Sequence, residues 1–283
     1  MAEVIMTGKE VIASMKERMT REVEELKAKG IQPKMNIIRV GARGDDLAYE
    51  RGARKRLESV GVELEVTELP EDIQQAEFEE AFRKVNEDPS VHGIMLFRPL
   101  PKHLNEEPVA RMLDPEKDMD CMSPVNQAKV FAGDPTGYAP CTPQAVMEML
   151  DFYGIDLKGK KVTLVGRSMV VGKPLAMLML GRHATVTMCH TRTRDLAAEC
   201  RAADIVAAAA GKAGMITADM ISDGSIVVDV GINVNEEGKL CGDVAYDEVE
   251  KVAGAISPVP GGVGGVTSSV LASHVVEAAR RRL

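Results

Sequence analysis

The sequence predicts an α/β protein of two domains, each built on a parallel sheet. Short apolar runs alternate with amphipathic segments twice, over residues 35–97 and again over residues 162–230. That alternation is typical of parallel strands connected by helices. A chain of 283 residues is long enough for two domains with separate cores. We assign residues 1–141 and 268–283 to one α/β domain and residues 142–267 to the other.

Composition argues against several classes of protein. Hydrophobic residues make up 45% of the chain and charged residues 28%, and no apolar run approaches the ~20 residues that cross a bilayer. A net charge of −8 argues against a nucleic-acid partner, which requires a basic surface. The first residues lack a basic region followed by an apolar one, so a cytoplasmic location is expected. The five cysteines are widely spaced, so we expect reduced, mostly buried thiols and no metal site.

The first half is predicted to contain three strands and the helices between them. In chain order the segments are helix 8–29, strand 35–40, helix 47–60, strand 63–68, helix 73–86 and strand 91–97. Asp45 or Asp46 is the expected N-cap of the second helix. Parallel sheets bind ligands at the carboxyl ends of their strands. Substrate chemistry is therefore expected at the loop after Val40, at residues 98–101 and at residues 114–126.

The second half is organised around residues 162–174, VTLVGRSMVVGKP, which predict a strand, a tight turn at Gly166 and a helix start near Gly172. Helix-opening N–H groups suit a phosphate. The spacing is not G-x-G-x-x-G, so this signal alone is weak. It is strengthened by further strands whose small or glycine residues converge on one edge of the sheet. The remaining segments are helix 142–153, strands 184–189, 204–210 and 225–230, and a last helix, 268–282, packing on the first domain.

Residues 258–267, PVPGGVGGVT, are the one conspicuous irregular segment. Two prolines and four glycines predict a loop with special backbone geometry. Long glycine loops in compact domains are more often functional than decorative, and the alternative is a linker between the domains.

Ten motifs, taken in chain order, resemble the bifunctional methylenetetrahydrofolate dehydrogenase/cyclohydrolase family. The resemblance runs through nearly the whole chain, and several of the motifs are long, so the set is specific. The motifs are Tyr49, PLP (99–101), KDMD (117–120), PCTP (140–143), VGRSMVVGKP (165–174), CHTRT (189–193), ADI (203–205), DVGIN (229–233), GDV (242–244) and PVPGGVG (258–264).

The resemblance implies a homodimer in which a folate cleft separates an α/β catalytic domain from a Rossmann-type NADP-binding domain. Such proteins oxidise methylenetetrahydrofolate, their tetrahydrofolate cosubstrate, to the methenyl cation, and often hydrolyse that cation. The implied catalytic residues are Tyr49 and Asp120. The implied substrate-binding residues are Tyr49, Phe97, Pro99, Leu100, Asp120, Pro260, Gly261, Gly262, Val263 and Gly264. The implied cofactor-binding residues are Gly166, Arg167, Ser168, Val171, Gly172, His190, Thr191, Arg192, Gly211, Ile232 and Thr267.

Physical chemistry agrees with these roles. A pterin presents an amino group beside a ring N–H, for which the Asp120 carboxylate is a complementary acceptor; the alternative role of Asp120 is a helix or turn cap. Tyr49 would pack against the pterin, the alternative being a half-buried packing residue. Arg167 and Arg192 follow adjacent strands where a 2′-phosphate would lie. No acidic residue follows strand 184–189 to hold ribose hydroxyls, which favours NADP over NAD, although both arginines could simply be solvated.

Two departures fall on the chemistry. The family's Tyr-x-x-x-Lys has Ala53 in place of the lysine, and the glutamine that supports that lysine is here Phe97. Lys55 lies about 200° round the helix from Ala53, and Arg56 is on the right face but is a poor base. Hydride transfer depends mainly on orientation, whereas hydrolysis of the methenyl cation requires proton transfers. The sequence therefore predicts dehydrogenase activity with weak or absent cyclohydrolase activity.

Three alternatives stay open. Both activities persist if Arg56, Lys55 or a chain of waters replaces the lysine; the protein is a non-catalytic folate or nucleotide sensor; or it is an NADP dehydrogenase for another substrate. The retained motifs of both domains argue against the last two. Lesser departures are Cys121 in place of a glycine and Gly265-Val266 in place of Pro-Met.

Overall fold

The computed structural model describes all residues, 1–283, and the chain divides into two compact units. The N unit consists of Ser14–Cys141 and Ser268–Leu283, and the C unit of Met1–Ala13 and Thr142–Thr267. The sequence predicts residues 1–13 in the domain that corresponds to the N unit. They group with the C unit because Val4 and Ile5 pair in parallel with Ala255 and Ile256 of its sheet.

Eleven strands and ten α-helices make up the regular structure, with one 3₁₀ turn at Ala218–Met220. In chain order they are β1 (Val4–Ile5), α1 (Gly8–Ala28), β2 (Lys34–Val40), α2 (Gly44–Glu58), β3 (Glu63–Leu69), α3 (Gln75–Glu87), β4 (Gly93–Leu96), α4 (Glu107–Met112), α5 (Pro124–Ala132), α6 (Cys141–Phe152), β5 (Lys161–Val165), α7 (Gly172–Gly181), β6 (Thr185–Cys189), α8 (Leu196–Arg201), β7 (Ile205–Ala208), β8 (Ile226–Asp229), β9 (Asn233–Val234), β10 (Leu240–Cys241), α9 (Tyr246–Val249), β11 (Ala255–Ile256) and α10 (Val263–Arg280).

The N unit is built on a three-stranded parallel sheet in the order β3-β2-β4. Central strand β2 is buried along almost its whole length, as expected for a strand covered on both faces. Phe78 and Phe82 of α3 are fully buried and pack in one cluster with Ile38 and Ile94 of the sheet. The helical spacing of the two phenylalanines therefore fixes which face of α3 meets the sheet.

The C unit contains a six-stranded parallel sheet in the order β1-β11-β8-β7-β5-β6. Val165 at the end of β5 is level with Cys189 of β6 and Ala208 of β7, and Ala208 is level with Asp229 of β8. Four strands therefore end at one edge, as the sequence predicts. This is the edge where parallel sheets bind ligands.

Two local predictions are wrong. Helix α2 begins at Gly44 with Arg43 as its N-cap, so Asp45 and Asp46 lie in the first turn, where carboxylates stabilise the helix dipole. Helix α10 begins at Val263, so residues 263–267, predicted as loop, are helical. Val263 and Val266 are buried, and burial of two valines offsets the conformational cost of the neighbouring glycines.

Two further properties concern the whole chain. None of the helices combines the length and the apolar character that a membrane-spanning segment requires. Four of the five cysteines are buried and Cys241 is partly exposed, so the expectation of mostly buried thiols is confirmed.

His92 gives the N unit a pH-dependent stability. It is buried beside the cationic side chains of Arg282, Lys117 and Lys34, and burial with these charges lowers its pKa to about 4. The unfolded chain binds the proton near pH 6.5, so stability is full above that pH and is lost as the pH falls towards 4. In wild type, protonation of His92 should lower the free energy of unfolding by about 2–3 kcal/mol as the pH falls towards 4. The variant His92→Gln should not show this loss.

Urea unfolding of wild type and His92→Gln at a series of pH values between 4 and 7 measures this effect. The variant His183→Asn, at an exposed histidine of the C unit, is the matched control. Parallel pH profiles for wild type and His92→Gln would contradict the prediction.

Candidate functional site

The KDMD motif holds Asp120 at the end of a rigid turn in the N unit. Lys117 points inward and donates to the carbonyls of Asn86 and Asp88 at 2.6 and 2.7 Å. Buried Asp118 accepts from the backbone N–H groups of Met122 and Ser123, both at 2.8 Å. These bonds are all internal to the protein. The first two charged residues of the motif therefore fix the turn, and Asp120 is left to meet a ligand.

Cys121 follows Asp120 with φ +57°, in the left-handed region that favours glycine. This explains why the related pattern has glycine at this position. The side chain of Cys121 is buried, and burial near Asp118 and Asp120 raises the pKa of its thiol to about 12. The thiol is therefore neutral at physiological pH.

The two carboxylate oxygens of Asp120 have different neighbours. Its Oδ1 accepts from the backbone N–H of Cys141, the first residue of α6, at 2.9 Å. Its Oδ2 lies 4.0 Å from Nη2 of Arg98, and the Asp120 side chain is 22% exposed. Burial raises the pKa of Asp120, and the Cys141 N–H and Arg98 oppose that rise. The cap that the sequence analysis offered as an alternative thus engages one oxygen and leaves the other for a ligand.

Tyr49 and Phe97 form an aromatic pair in the same unit. Their rings meet edge to face with centroids 5.6 Å apart, and Tyr49 is 37% exposed whereas Phe97 is buried. Burial of the hydroxyl end, with Cys141 and Asp120 nearby, raises the pKa of Tyr49. The phenol therefore stays protonated. Pro99 is exposed and Leu100 packs partly into the core of the N unit.

Position 53, where the related pattern has a lysine, carries no ionisable group. Ala53 is 1% exposed and lies one turn after Tyr49 on α2. Lys55 is exposed, consistent with its different helical face. The guanidinium Nε of Arg56 is buried without a hydrogen-bond partner, and burial lowers the pKa of Arg56. An arginine nevertheless stays protonated in proteins, so it supplies charge rather than proton transfer.

The turn between β5 and α7 is a close-packed backbone cradle. Gly166 has φ +135°, and a Cβ there would lie 2.2 Å from the Ala209 carbonyl oxygen. A Cβ on Gly172 would lie 2.4 Å from the Gly166 carbonyl oxygen. Both positions therefore require glycine.

The first N–H groups of α7 donate within the protein, which differs from the expectation that they face a phosphate. Ser168 Oγ accepts from the N–H groups of Val171 and Gly172 at 3.0 and 3.3 Å. The Lys173 N–H donates to the Ser168 carbonyl at 3.0 Å, and Pro174 has no N–H. The exposed Arg167 guanidinium and the Ser168 O–H remain available to an anion.

We expect Gly166→Ala to disrupt this turn, because the added methyl group meets the backbone and the residue adopts an unfavourable φ. The thermal unfolding midpoint should fall by roughly 5–15 °C. Gly181, at the end of α7, has open space around it and a negative φ. Gly181→Ala is therefore the matched control, expected to be neutral or slightly stabilising, and equal midpoints for the two variants would contradict the prediction.

A second polar turn follows β6. The His190 N–H donates to Thr193 Oγ1 at 2.9 Å, and the Arg192 N–H donates to His190 Nδ1 at 3.1 Å. The side chains of Thr191 and Arg192 are exposed. Because β5 and β6 are neighbours, Arg167 and Arg192 follow adjacent strands. They provide two cationic groups at one edge of the sheet.

The loop after β7 is held by a residue that the sequence analysis did not assign. Buried Asp243 accepts from the N–H groups of Ala210, Gly211 and Lys212 at 2.5, 2.9 and 2.8 Å, and from Asn233 Nδ2 at 2.9 Å. The Gly211 N–H is therefore engaged within the protein. The GDV motif was the available signal, since it places a carboxylate between two small or apolar residues.

A second buried carboxylate, Asp229, supports Asp243. It accepts from the N–H groups of Gly231, Asp243 and Val244 at 2.9–3.1 Å. Burial raises the pKa of Asp229 to about 6. A Cβ on Gly242 would lie 1.8 Å from Asp229 Oδ2, so the glycine of the GDV motif makes room for this carboxylate.

A cavity of about 180 Å³ lies within the C unit at the end of β8. It is lined by the PVPGG segment and by Gly231, Ile232, Leu240 and Gly264. Ile232 is largely exposed. Thr267, in the second turn of α10, donates its hydroxyl to the Gly264 carbonyl at 2.9 Å. Of the predicted substrate-binding set, Pro260, Gly261, Gly262 and Gly264 therefore border one cavity.

These features define a class: a two-unit α/β protein whose C unit carries a nucleotide-type strand edge and whose N unit presents a carboxylate beside an aromatic pair. The model of the tetrahydrofolate dehydrogenase/cyclohydrolase catalytic domain matches residues 6–120. The model of the NAD(P)-binding domain of the same family matches residues 140–283. The chain belongs to the tetrahydrofolate dehydrogenase/cyclohydrolase family.

Relatives match over almost the full length. The chain is 54% identical to the bifunctional protein FolD of Clostridioides difficile, covering 98% of this chain and 96% of that protein. Among solved structures, bifunctional FolD from Campylobacter jejuni has a TM-score of 0.96 at 39% identity over 99% of each chain. The Trypanosoma brucei enzyme, complexed with NADP and an inhibitor, has a TM-score of 0.91 at 36% identity, covering 99% of this chain and 98% of that one.

Proposed function

We propose that this protein is an NADP-dependent methylenetetrahydrofolate dehydrogenase with weak or absent cyclohydrolase activity. The observation that carries the proposal is the make-up of the N-unit site. Asp120 Oδ2 lies 4.0 Å from Arg98, outside hydrogen-bond distance, and Asp120 is near Tyr49, whereas buried Ala53 and Phe97 stand where the related pattern has its lysine and glutamine. The groups expected to bind a folate are present, and the lysine and glutamine expected to transfer protons are replaced.

The C unit fits an NADP molecule. The cradle at Gly166 and Gly172 excludes side chains, as close approach of a ligand to the backbone requires. Ser168 and Thr191 would donate hydroxyls, and Arg167 and Arg192 would pair with the 2′-phosphate. When bound, the nicotinamide ring supplies the hydride acceptor.

The chain's own residues orient the folate and adjust its charge environment. Asp120 Oδ2 would accept from the amino group and ring N–H of the pterin, which fixes the reacting carbon by orientation. Tyr49 would pack against the ring system, with Phe97 holding its edge. The Asp120 carboxylate also favours the positive charge that develops on the folate during oxidation. None of these roles requires a side chain to exchange a proton with the reacting carbon.

An assay of both reactions on the purified protein tests the proposal. Methylenetetrahydrofolate with NADP should give NADPH and an accumulation of the methenyl compound. Methenyltetrahydrofolate supplied alone should be hydrolysed little faster than in buffer. Hydrolysis at rates comparable to dehydrogenation would refute the cyclohydrolase part, and no NADPH would refute the dehydrogenase. The proposal includes the homodimer implied by the resemblance, which light scattering measures.

Cofactor choice gives a separate prediction. Removing the charge of Arg192 in Arg192→Gln should raise the KM for NADP about 10-fold or more, because a charge-assisted contact to phosphate is lost. The KM for NAD should stay the same, since NAD lacks that phosphate. Exposed Arg194 on the same turn is the matched control. Equal losses for both cofactors would indicate that Arg192 acts on the turn and not on the phosphate.

The second candidate is a bifunctional dehydrogenase/cyclohydrolase. The names of the relatives favour it, because the Clostridioides difficile and Campylobacter jejuni proteins are both called bifunctional. It requires another route for protons, through Arg56, Lys55 or water. The hydrolysis assay separates the two candidates, and Arg56→Met would show whether the unpartnered guanidinium contributes.

A further inference from the structure

Arg98 is a charged residue of the N-unit site, in the segment 98–101 where the sequence predicts substrate chemistry. We propose that Arg98 controls substrate binding by acting as the displaceable counter-ion of Asp120. Without ligand, Arg98 pairs with the Asp120 carboxylate. When a ligand with two adjacent neutral N–H donors binds that carboxylate, Arg98 turns to Glu106. This inference rests on the proposed folate site at Asp120.

The first support is the geometry of the carboxylate. Because the Cys141 N–H already donates to Oδ1 at 2.9 Å, Oδ2 is the oxygen with the greater acceptor capacity left for a pterin. Arg98 Nη2 lies 4.0 Å from that same Oδ2. A ligand N–H that reaches Oδ2 at hydrogen-bond distance therefore competes with the guanidinium for one oxygen.

The second support is the alternative partner. Arg98 Nη1 lies 3.9 Å from Oε1 of Glu106, so the guanidinium stands between two carboxylates and is at hydrogen-bond distance from neither. The Arg98 side chain is 30% exposed and that of Glu106 is 47% exposed. An arginine held this loosely moves between partners at small cost. A shift towards Glu106 frees Oδ2 without leaving an unpaired buried charge.

The third support is the charge around Asp120. Asp118 is an acidic neighbour that adds to the effect of burial, and burial keeps the thiols of Cys121 and Cys141 and the phenol of Tyr49 neutral. The Arg98 cation opposes the effects of burial and of Asp118, and so lowers the pKa of Asp120. The guanidinium therefore has two effects on binding. It competes for Oδ2 at neutral and alkaline pH, and it keeps the carboxylate ionised as the pH falls.

Three variants test the proposal through the dissociation constant of tetrahydrofolate, measured by calorimetry, and the KM for methylenetetrahydrofolate. Arg98→Met keeps the length of the side chain and removes its charge. At pH 8 it should tighten binding about 1.5- to fivefold, the range of a partly exposed ion pair. Arg98→Lys restores a cation and should lie close to wild type. Glu106→Gln removes the alternative partner and should weaken binding.

The pH profile provides a readout that a structural role would not change. Binding by Arg98→Met should be lost at a higher pH than binding by wild type, because Asp120 takes up its proton earlier without the cation. Weaker binding by Arg98→Met at pH 8, or a pH profile identical to wild type, would overturn the inference. Wild type that neither binds tetrahydrofolate nor oxidises methylenetetrahydrofolate would instead refute the proposed function. Circular dichroism confirms that each variant is folded.

Discussion

Replacing Asp120 by Asn is expected to lower kcat/KM for methylenetetrahydrofolate by roughly 100- to 1,000-fold, or about 3–4 kcal/mol. The Cys141 N–H needs an acceptor, so the amide oxygen of Asn takes the place of Oδ1. The amide NH₂ then points to where Oδ2 accepts the pterin. Two donors would face each other in a partly buried site, and the charge that favours the developing folate cation would be lost.

Steady-state kinetics with both substrates measure this loss, and the dissociation constant of NADP serves as an internal reference. That constant should change by less than about twofold, because the contacts assigned to NADP are separate from Asp120. Exposed Asp72 of the N unit is the matched control, and Asp72→Asn should retain full activity. An Asp120→Asn enzyme with a normal KM and kcat would remove Asp120 from the site.

Supplying the missing pair, Ala53→Lys with Phe97→Gln, is expected to raise cyclohydrolase activity by about 100-fold or more. A positioned acid/base group contributes about 10²–10⁴-fold to such a step. Ala53 is 1% exposed, so a lysine there lies in a desolvated position that lowers its pKa towards neutrality. Gln in place of Phe97 offers the ammonium or amine a hydrogen-bond partner. Ala53→Lys alone should be less stable and less active, because the amine would have no such partner.

The control is Ala53→Met with Phe97→Gln, which provides the same bulk without an amine. Hydrolysis of methenyltetrahydrofolate is measured for the two double variants and wild type. A gain in both double variants would indicate better water access rather than proton transfer. No gain in either, with dehydrogenase activity intact, would mean that the loss of cyclohydrolase activity has another cause. Tyr49 loses its edge contact with Phe97 in both, so the two remain comparable.

Local patterns were sufficient for most of the fold. The apolar run before Gly166 predicts a strand at 162–165 and a helix start at Gly172, and the structure has β5 at Lys161–Val165 and α7 from Gly172. Strand and helix periods are properties of consecutive residues, so they are readable without a partner. Residues 263–267 were predicted as loop because glycine is a poor helix former. Burial of Val263 and Val266 is a tertiary contribution that no local propensity includes.

The sequence by itself determined which chemical groups this protein has: a carboxylate at 120, arginines after two adjacent strands, glycines at the cradle, and neither lysine nor glutamine at positions 53 and 97. Only the tertiary structure decided which atoms of those groups are free. Cys141 takes one oxygen of Asp120, Ser168 takes the amides that open α7, and Asp243 takes the amide of Gly211. Two of these three partners are 21 and 32 residues away in the chain. Whether a donor or acceptor is available to a ligand depends on which groups of the protein lie within hydrogen-bond distance of it. Packing between distant segments decides which groups those are.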